Sequence, residues 1–369
     1  MKLIIFFLLV VFNCQAQKKI TLIELDSIIS INTEEIKKYE LDKKLPTRVI
    51  SFLSNYANSY QIKDWQIITV LKSYCNSLKF KKNDSKAELM CSLLTSLKIN
   101  NALVTSKNKK YAFVSISNKV SIINLSYLFE SGYKLLNVFN DDKIIIRKLE
   151  FHTSTNFIDL SLDYSLPVEI VEDSIAIRHI QFVNYLTEKN DSFSYYVSIN
   201  HVKYLNTLPR VKPDKRYSLA PLSNVLSSSL FNELNKRIHC NNLEDSLNFL
   251  LRFVTNGITQ KNDIDLYNKN DWPAFPENTL ELQSGDCEDV SELYLLLIRH
   301  YFSDVEVIFL IHPNHINLGI YNHRLITKNK VSISYKNKQF LIADPSSVMF
   351  FPLGSDIYLS LTSSILEIW

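Results

Sequence analysis

The chain has 369 residues, and 46% of them are hydrophobic, which is enough to build at least one large core and more readily two or three. Its 41 basic and 38 acidic residues give a formal net charge of +3, so the composition provides no basic footprint for nucleic acid. Glycine is scarce, at 5 residues, and no glycine-rich phosphate-binding motif occurs, so we expect no cofactor.

The first 16 residues have the pattern of a signal peptide. Lys2 precedes an apolar run that ends at Phe12, and Cys14 and Ala16 put small residues where a signal peptidase cleaves. We therefore predict cleavage after Ala16 and an exported protein, periplasmic or secreted, without an integral membrane span. The alternative is a lipoprotein acylated at Cys14, which the bulky residues before this cysteine disfavour.

Residues 17–134 are predicted to form an N-terminal domain that is helical first and β-rich afterwards. Apolar residues recur three and four positions apart between residues 47 and 98, which is typical of amphipathic helices. The later runs NALVTS, YAFVSI and VSIINL are typical of strands. From 135 to 206 nearly every apolar run is strand-like, including VKYLNTL, so we predict an antiparallel β-rich middle domain. The stretch 207–220 is predicted to be a linker.

Residues 221–369 are predicted to form the last domain, of α+β class. NVLSSSLFNELNKRI and NLEDSLNFLLRFVTNG have helical periodicity, and Asn242 and Gly257 are good end signals for the second helix. A loop is predicted from 258 to 284, followed by a helix that begins near Cys287. Four strand-like runs come next, namely VEVIFLI, INLGIYN, KVSISY and QFLIAD.

Two segments of the chain resemble each other. Residues 88–104 (ELMCSLLTSLKINNALV) align with residues 292–309 (ELYLLLIRHYFSDVEVIF) when one residue is inserted in the second copy. Each segment is predicted to be a helix that leads into a strand, and the alignment places Cys287 opposite Asn83. Either the N-terminal domain has the fold of the last domain without its chemistry, or the match reflects only how common helix-then-strand units are.

The cysteines that remain after cleavage are few for a long exported chain, so a disulfide scaffold is not expected. They are Cys75, Cys91, Cys240 and Cys287. Cys75 and Cys91 lie in predicted helices; they either pair, or Cys91 is simply a small buried hydrophobic residue. No CxxC or HExxH spacing occurs, so we predict no metal site.

Cys287 has an unusual setting for a core cysteine, because it lies in SGDCEDVSELYLLLIRH among acidic residues at a predicted helix start. Asp286 is predicted to cap this helix. The predicted buried stripe comprises Val290, Leu293, Tyr294, Leu297 and Ile298. The positive end of the helix favours a thiolate, whereas the carboxylates of Asp286, Glu288 and Asp289 oppose it. Activation of Cys287 as a nucleophile therefore requires a positioned imidazole.

His315, at the start of the strand HINLGI, is the preferred candidate for that imidazole, and His312, which precedes Pro313, is the alternative. Alternation puts Gly319 on the face of His315, where the missing side chain is predicted to leave space for a substrate. Asp344 ends the strand QFLIAD and is able to accept a hydrogen bond from the imidazole. We predict a cluster of Cys287, His315 and Asp344.

The order of GDCEDVSELYLLLIR, NHINLGI and FLIADPSS resembles the transglutaminase-like cysteine protease superfamily, and DWPAFPENTLELQSGDCED resembles the lead-in of its secreted bacterial members. The resemblance implies a papain-like α+β domain with a core helix on an antiparallel sheet. It also implies that Cys287 is the nucleophile, His315 the general acid and base, and Asp344 the orienting residue. The Cys287 N–H would contribute to an oxyanion hole, with Gln283 or Trp272 as open candidates for the second donor.

Three functions are compatible with this resemblance. The first is hydrolysis of a protein or peptide substrate, as a peptidase or amidase, through a thioester acyl-enzyme. The second is protein crosslinking, in which an amine replaces water. The third is a non-catalytic binding or scaffold protein, in which the β-rich section recognises a partner.

Overall fold

The computed structural model contains two compact units, one formed by residues 1–118 and 125–173 and the other by residues 119–124 and 174–369. The residues that it describes are 64–77, 83–106, 109–116, 127–130, 133–139, 148–152, 174–208, 220–238, 242–268, 272–325, 328–355 and 364–367. Each unit combines helices with an antiparallel sheet, so the predicted α+β class is confirmed at this level. Within these ranges no helix combines the length and the apolar character needed to cross a bilayer.

Several predictions fall outside the described residues and stay predictions. They concern the signal peptide with Cys14, the helices before residue 64, the strand over 120–125, Cys240 and most of the linker over 207–220. The division into units also differs from the predicted domains. The β-rich middle domain predicted over 135–206 is not a unit of its own, because the boundary at residue 173 divides it between the two units.

Among its described residues, the first unit has two helices followed by a five-stranded sheet. These elements are α1 (Asp64–Ser77), α2 (Asn83–Ser96), β1 (Asn101–Ser106), β2 (Lys109–Ile116), β3 (Tyr127–Glu130), β4 (Tyr133–Asn137) and β5 (Lys148–His152). Helix α2 packs against β1 and β2. The face of the sheet contributes a core cluster that includes Val104, Phe113 and Leu135, all fully buried. The strands predicted from NALVTS and YAFVSI are confirmed.

The second unit begins with a hairpin and a series of helices and ends in another five-stranded sheet. Its first elements are β6 (Ile175–Val183), β7 (Asn190–Ser198), α3 (Ile199–Thr207), α4 (Asn224–Asn235), α5 (Leu243–Gly257), β8 (Thr259–Gln260), α6 (Asp263–Tyr267), α7 (Pro276–Leu282) and β9 (Ser284–Gly285). They are followed by α8 (Cys287–Tyr301), β10 (Glu306–His312), β11 (His315–Tyr321), β12 (Ser332–Tyr335), β13 (Lys338–Ala343) and β14 (Ser364–Glu367).

Two sequence predictions for the second unit were wrong. The run VKYLNTL forms most of helix α3 instead of a strand, because the Ser198 side chain caps the helix and Val202 and Leu205 bury one helical face. The region predicted as a loop from 258 to 284 contains α6, α7 and the short parallel pair of β8 and β9. The predicted helices α4, α5 and α8 and the strands β10 to β13 are confirmed.

The sheets of the two units have the same strand order. In the first unit the order is β3-β4-β2-β1-β5, and in the second it is β12-β13-β11-β10-β14. When the strands of each sheet are numbered by their order in the sequence, both sheets have the order third, fourth, second, first, fifth. In each unit a helix directly precedes the first strand, and all pairings within the sheet are antiparallel. The sequence similarity between residues 88–104 and 292–309 therefore coincides with equivalent elements.

Helix α8 is held in place by both a cap and a core. The Asp286 carboxylate accepts hydrogen bonds from the backbone N–H groups of Glu288 and Asp289. The helix packs between α5 and strand β11, and its apolar side chains, such as Leu293 and Leu297, are fully buried. Burial of a Leu side chain contributes about 2–3 kcal/mol, so the helix start is fixed mainly by packing behind it.

Candidate active site

Cys287 is the first residue of α8 and lies at the border of the main core. Its side chain is half-buried, is a free thiol and packs against the large hydrophobic cluster of the second unit. Asp286 uses its carboxylate for the N–H groups of the two residues after Cys287, which leaves the Cys287 N–H outside this cap. A thiol and an N–H of the same residue therefore stand together at the positive end of a 15-residue helix.

The acidic residues around Cys287 have structural partners. Asp286 is the cap, and the fully buried Asp289 accepts a hydrogen bond of 2.7 Å from the backbone N–H of Ala274. Asp289 thereby ties the segment before α7 to the first turn of α8. A Cβ atom at Gly285 would lie 2.8 Å from the Asp289 Cβ, so only glycine permits this close approach. Two of the three carboxylates that made this stretch unusual thus serve its architecture.

His315 and Asp344 form a direct pair. The imidazole Nε2 lies 2.9 Å from Asp344 Oδ2, and the carboxylate is almost completely buried. Hydrogen bonding to Asp344 first, and to the Cys287 side chain second, raises the pKa of His315 from its ordinary 6.5 to about 10, against an opposing effect of burial. The structure therefore pairs His315 directly with Asp344 and places the Cys287 side chain close enough to affect the pKa of His315.

Ser346 fixes the orientation of Asp344, and sequence reasoning missed this residue. The other carboxylate oxygen, Oδ1, accepts hydrogen bonds from the backbone N–H of Ser346 at 3.2 Å and from its hydroxyl at 3.1 Å. This arrangement is the turn that an Asp forms with the residue two positions later, and the DPSS sequence already indicates such a turn. It leaves Oδ2 free to face the histidine.

His312 is close to the same site without replacing His315. The two residues are directly paired across the β10–β11 hairpin, and their ring centroids lie 6.4 Å apart with an angle of 28° between the planes. His315, however, is the histidine whose hydrogen bond to Asp344 and interaction with Cys287 set its pKa. The structure thus favours His315, as the sequence does.

The space predicted beside Gly319 is occupied. A Cβ atom on this glycine would lie 2.7 Å from Ile308 Cγ1 and 3.1 Å from Phe340 Cβ. Gly319 pairs directly with Ile308 across the sheet, and both neighbours belong to a second apolar cluster. The glycine therefore serves close packing on the sheet, and the prediction that it makes room for a substrate was wrong.

The two candidates for a second oxyanion donor, Gln283 and Trp272, make contacts with other parts of the second unit. The Gln283 amide donates to the His179 carbonyl oxygen at 2.9 Å and to the Tyr195 hydroxyl at 3.3 Å, which ties the end of α7 to the β6–β7 hairpin. The Trp272 ring lies against Tyr267, with centroids 6.3 Å apart. The contacts of Gln283 are those of a structural residue.

The lead-in before Cys287 is anchored by a buried polar network that the sequence did not reveal. Glu277, in the first turn of α7, accepts hydrogen bonds from the backbone N–H and the hydroxyl of Ser223, each at 2.7 Å. Its Oε2 atom also lies 2.7 Å from His201 Nδ1, and both side chains are 1% exposed. The network joins α3, the start of α4 and α7, and its only sequence signal is a Glu just after the helix-starting Pro276.

A groove of about 410 Å³ is lined in part by residues that are near Cys287 and Asp344 in the sequence. Val290, one helical turn after Cys287, forms part of one wall, and Pro345, Ser346 and Ser347, which follow Asp344, form another. Side chains three positions apart on a helix have Cβ atoms about 5–6 Å apart, so the wall at Val290 lies one helical turn from Cys287, which is not itself a lining residue. The remaining lining comes from the end of α5, strand β8 and Val348.

The equivalent positions of the first unit carry different residues. Asn83 begins α2 as Cys287 begins α8, and Lys109 pairs with Ser106 across its hairpin as His315 pairs with His312. Continuing the register through Phe113 and Asn137, which match Gly319 and Ile342, places Phe139 opposite Asp344. The Lys86 ammonium lies 4.1 Å from the centre of the Phe139 ring, and Lys86 is the counterpart of the groove residue Val290.

Comparisons of the chain with protein-family models, curated proteins and solved structures found no match. Within the part of the chain that the structure describes, no three His, Cys, Asp or Glu side chains come together in a way that would hold a metal ion. The geometry of Cys287, His315 and Asp344 is therefore the observation on which a functional proposal rests.

Proposed function

We propose that the second unit is a transglutaminase-like cysteine hydrolase that cleaves an amide bond of a protein or peptide. The observation that carries this proposal is the linked set of Cys287, His315 and Asp344, in which the imidazole bonds to the carboxylate and interacts with the thiol. These are the nucleophile, base and orienting group that acyl transfer through a thiol requires. The raised pKa of His315 keeps the ring cationic at neutral pH, and a neighbouring cation stabilises a thiolate.

The reaction follows from these positions. The Cys287 sulfur attacks the carbonyl carbon of the amide, and the imidazolium of His315 gives its proton to the departing nitrogen as the carbon–nitrogen bond breaks. The resulting thioester is attacked by water, whose proton passes to His315, and the carbon–sulfur bond then breaks to release the acid. Asp344 holds the ring through Nε2 throughout, which leaves Nδ1 as the nitrogen that exchanges the proton.

The helix start supplies stabilisation for the tetrahedral intermediate. The negative charge that develops on the carbonyl oxygen lies next to the Cys287 N–H, which the Asp286 cap does not use. The aligned peptide dipoles of α8 add to this effect within the first turn. The rigid packing behind α8 keeps the donor in place before the reaction begins.

We further propose that the first unit is a copy of the same fold without the chemistry. The identical strand order and the helix before the first strand support this relation. Asn83, Lys109 and Phe139 lack a thiol, an imidazole and a carboxylate, so they cannot perform the roles of Cys287, His315 and Asp344. Export of the chain to the periplasm or medium, inferred from residues 1–16, remains part of the proposal.

Hydrolysis is tested by following the oxygen of water. The protein is incubated in H₂¹⁸O with a complex peptide mixture, and new carboxyl termini that carry ¹⁸O are identified by mass spectrometry. We expect such termini with the wild type and none with Cys287→Ser. In a parallel reaction with an added primary amine, amine-bearing products without ¹⁸O would identify the crosslinking reaction instead, and the absence of both products would contradict an enzyme.

A further inference from the structure

We propose that the groove beside Cys287 is the specificity site for an extended polypeptide, which pairs with the free edge of strand β8 and places an uncharged side chain in the groove. This inference rests on the proposed function, because it assigns the substrate class of that same thiol. Three independent features support it: the unused edge of β8, the charge-free lining of the groove, and the exposed apolar rim.

Strand β8 has one satisfied side and one open side among the residues that the structure describes. The Thr259 N–H donates to the Gln283 carbonyl and the Lys261 N–H to the Gly285 carbonyl, both at 2.9 Å, as expected for parallel pairing with β9. Because backbone groups alternate along a strand, the N–H and C=O of Gln260 point away from β9. Both residues of β8 are exposed, and both line the groove.

An open strand edge next to a nucleophile favours an extended substrate. A peptide that pairs with Gln260 satisfies the two open backbone groups and adds a strand to the sheet. The residue that pairs with Gln260 in β9 is Gly285, two positions before Cys287. An extended chain along this edge therefore runs beside the segment that leads into the thiol.

The lining of the groove selects against charge. Its described residues are Thr255, Asn256, Ile258, Thr259, Gln260, Val290, Pro345, Ser346, Ser347 and Val348. None of these is ionisable, so a charged side chain would lose hydration without meeting an opposite charge in this lining. The hydroxyl and amide groups match a polar neutral side chain, and the aliphatic walls match an apolar one. The volume of about 410 Å³ is within the range of ligand sites.

The rim extends the apolar character outward. Val348 is 91% exposed and lines the groove, and the adjacent Met349 is 65% exposed. The two adjacent side chains form a small exposed apolar patch at the border of the groove. Val348 therefore lies at the edge of the groove, where the substrate residues next to the bound side chain would leave it.

Peptidyl chloromethyl ketones test the proposal through one side chain that is varied from probe to probe. In the labelling reaction the Cys287 sulfur bonds to the methylene carbon, chloride leaves, and His315 retains the thiol proton. The probes are acetyl-Ala-Ala-X chloromethyl ketones with X as Leu, Gln, Asp or Lys, and the measured quantity is the second-order rate constant for loss of free Cys287. The Leu and Gln probes are expected to react at least tenfold faster than the Asp and Lys probes, as pocket discrimination of about 10–200-fold allows.

Backbone pairing is tested on the probe instead of on the protein. Methylation of the backbone nitrogens of the two Ala residues removes the donors that the β8 edge would use and leaves every side chain unchanged. We expect the rate constant to fall about tenfold, as the loss of one or two hydrogen bonds implies. Equal rates for the methylated and unmethylated probes would overturn the pairing with Gln260.

Iodoacetamide separates the two possible failures, since it needs neither groove nor strand edge. If iodoacetamide fails to label Cys287, the proposed function itself fails. If it labels Cys287 rapidly but the four peptide probes react at one common rate, the nucleophile stands and the specificity groove is refuted. Preference for the charged probes would equally contradict the groove.

A substitution at the rim provides a gain of reactivity that misfolding cannot mimic. Val348→Lys places a cation on the groove wall, so the Asp probe is expected to react about threefold faster, in line with an exposed ion pair. Met349→Lys adds the same charge at the next residue, which is outside the lining, and is expected to change that rate less than about 1.5-fold. Equal gains in both variants would show that general charge attraction, and not the groove, sets the rate.

Discussion

The two five-stranded sheets of this protein have one topology and two different sets of residues at its key positions. In the second unit the helix start, the second strand and the end of the fourth strand carry Cys287, His315 and Asp344. In the first unit the same places carry Asn83, Lys109 and Phe139. The backbone arrangement alone therefore does not create a reactive centre; it provides three nearby points whose side chains decide whether chemistry follows.

The contact between Lys86 and Phe139 extends this lesson. In the second unit Val290 is the counterpart of Lys86, and Pro345 follows Asp344, the counterpart of Phe139; Val290 and Pro345 both border a groove. In the first unit the Lys86 ammonium lies over the Phe139 ring. A position that bears a buried carboxylate in one unit thus bears an aromatic ring, packed by a cation, in the other.

The largest expected effect comes from replacing the first residue of α8, and of α2 as the control, by alanine. Cys287→Ala removes the only proposed nucleophile, so peptide hydrolysis should fall by about 10⁴–10⁶-fold, the loss typical of a deleted nucleophile. Asn83→Ala alters the equivalent position of α2 and should leave the rate unchanged. Rates are measured as new carboxyl termini per minute on the same peptide mixture. A large loss with Asn83→Ala would mean that the first unit takes part in the reaction.

Thiol reactivity gives the second largest contrast. Burial raises the pKa of Cys75 and of Cys91, both in the first unit, to about 12, whereas Cys287 is half-buried beside a cationic imidazole. In the native protein at pH 7.5, iodoacetamide should label Cys287 at least about 10³-fold faster than either buried thiol. Peptide mapping by mass spectrometry measures the three rates. Similar rates in 6 M guanidinium, taken as an approximate reference for unfolded chains, provide the control.

The Asp344 carboxylate is the main cause of the raised pKa of His315, so its neutralisation should shift that value. We expect the His315 ring to titrate near 10 in the wild type and at a clearly lower pH in Asp344→Asn, as followed by the imidazole NMR signals with His315→Gln for assignment. Hydrolysis should fall by about 10²–10⁴-fold in the variant at neutral pH, as for other misplaced acid–base groups.

The same pair predicts how stability depends on pH. Because the folded pKa of His315 lies above the unfolded value, its stabilising contribution is complete below pH 6.5 and disappears as the pH rises through about 10. Asp344→Asn should therefore flatten this part of the pH–stability curve, measured by urea unfolding. An unchanged slope between pH 6.5 and 10 in the variant would contradict the assignment to His315.

Gly319 distinguishes the packing of the two sheets. The first unit has Phe113 at the equivalent position, whereas a Cβ atom at Gly319 would meet Ile308 at 2.7 Å. Gly319→Ala should destabilise the second sheet by about 1–3 kcal/mol, the usual cost of overpacking. Amide hydrogen exchange reports each sheet separately and should accelerate in β10 and β11. Exchange in β1 and β2 serves as the internal reference and should not change.

The smallest expected effect concerns the cation over the Phe139 ring. Lys86→Met keeps the length of the side chain and removes the charge, so the first sheet should lose about 0.5–1 kcal/mol, the value of an exposed cation–π contact. Exchange should accelerate in β4 and remain unchanged in β13. Loss of reactivity at Cys287 in this variant would indicate that the two units depend on each other for function.

Much of the second unit was predictable because its local signals agree with its tertiary environment. Asn242 and Asp286 both predict the helix starts that they cap, and the strands β10 to β13 follow from β-branched runs. The strand prediction for VKYLNTL was wrong. Its residue types favour a strand, but the cap from Ser198 and the burial of Leu205 stabilise a helix. A single sequence window does not contain those tertiary contacts.

The three candidate residues were found from order and residue type, whereas their supports were not. Asp289 bonds to Ala274, 15 residues away, and Glu277 bonds to His201, 76 residues away. Such pairs have no periodic signature, because they are defined by how distant segments pack. Gly319 shows the opposite error, because alternation carried no information on the side chains of the neighbouring strands that fill the space beside it.

The placement of the thiol on a helix and of its partners on a sheet would make the proposed reaction sensitive to the packing of the interior. The distance between the Cys287 sulfur and the His315 ring depends on how the buried side chains of α8 and β11, such as Leu297 and Leu318, hold the helix above the sheet. A shift of about 1 Å in that layer is enough to lower a rate about 100-fold. Core substitutions that touch none of the three residues should therefore lower the rate of the proposed hydrolysis while the protein still folds.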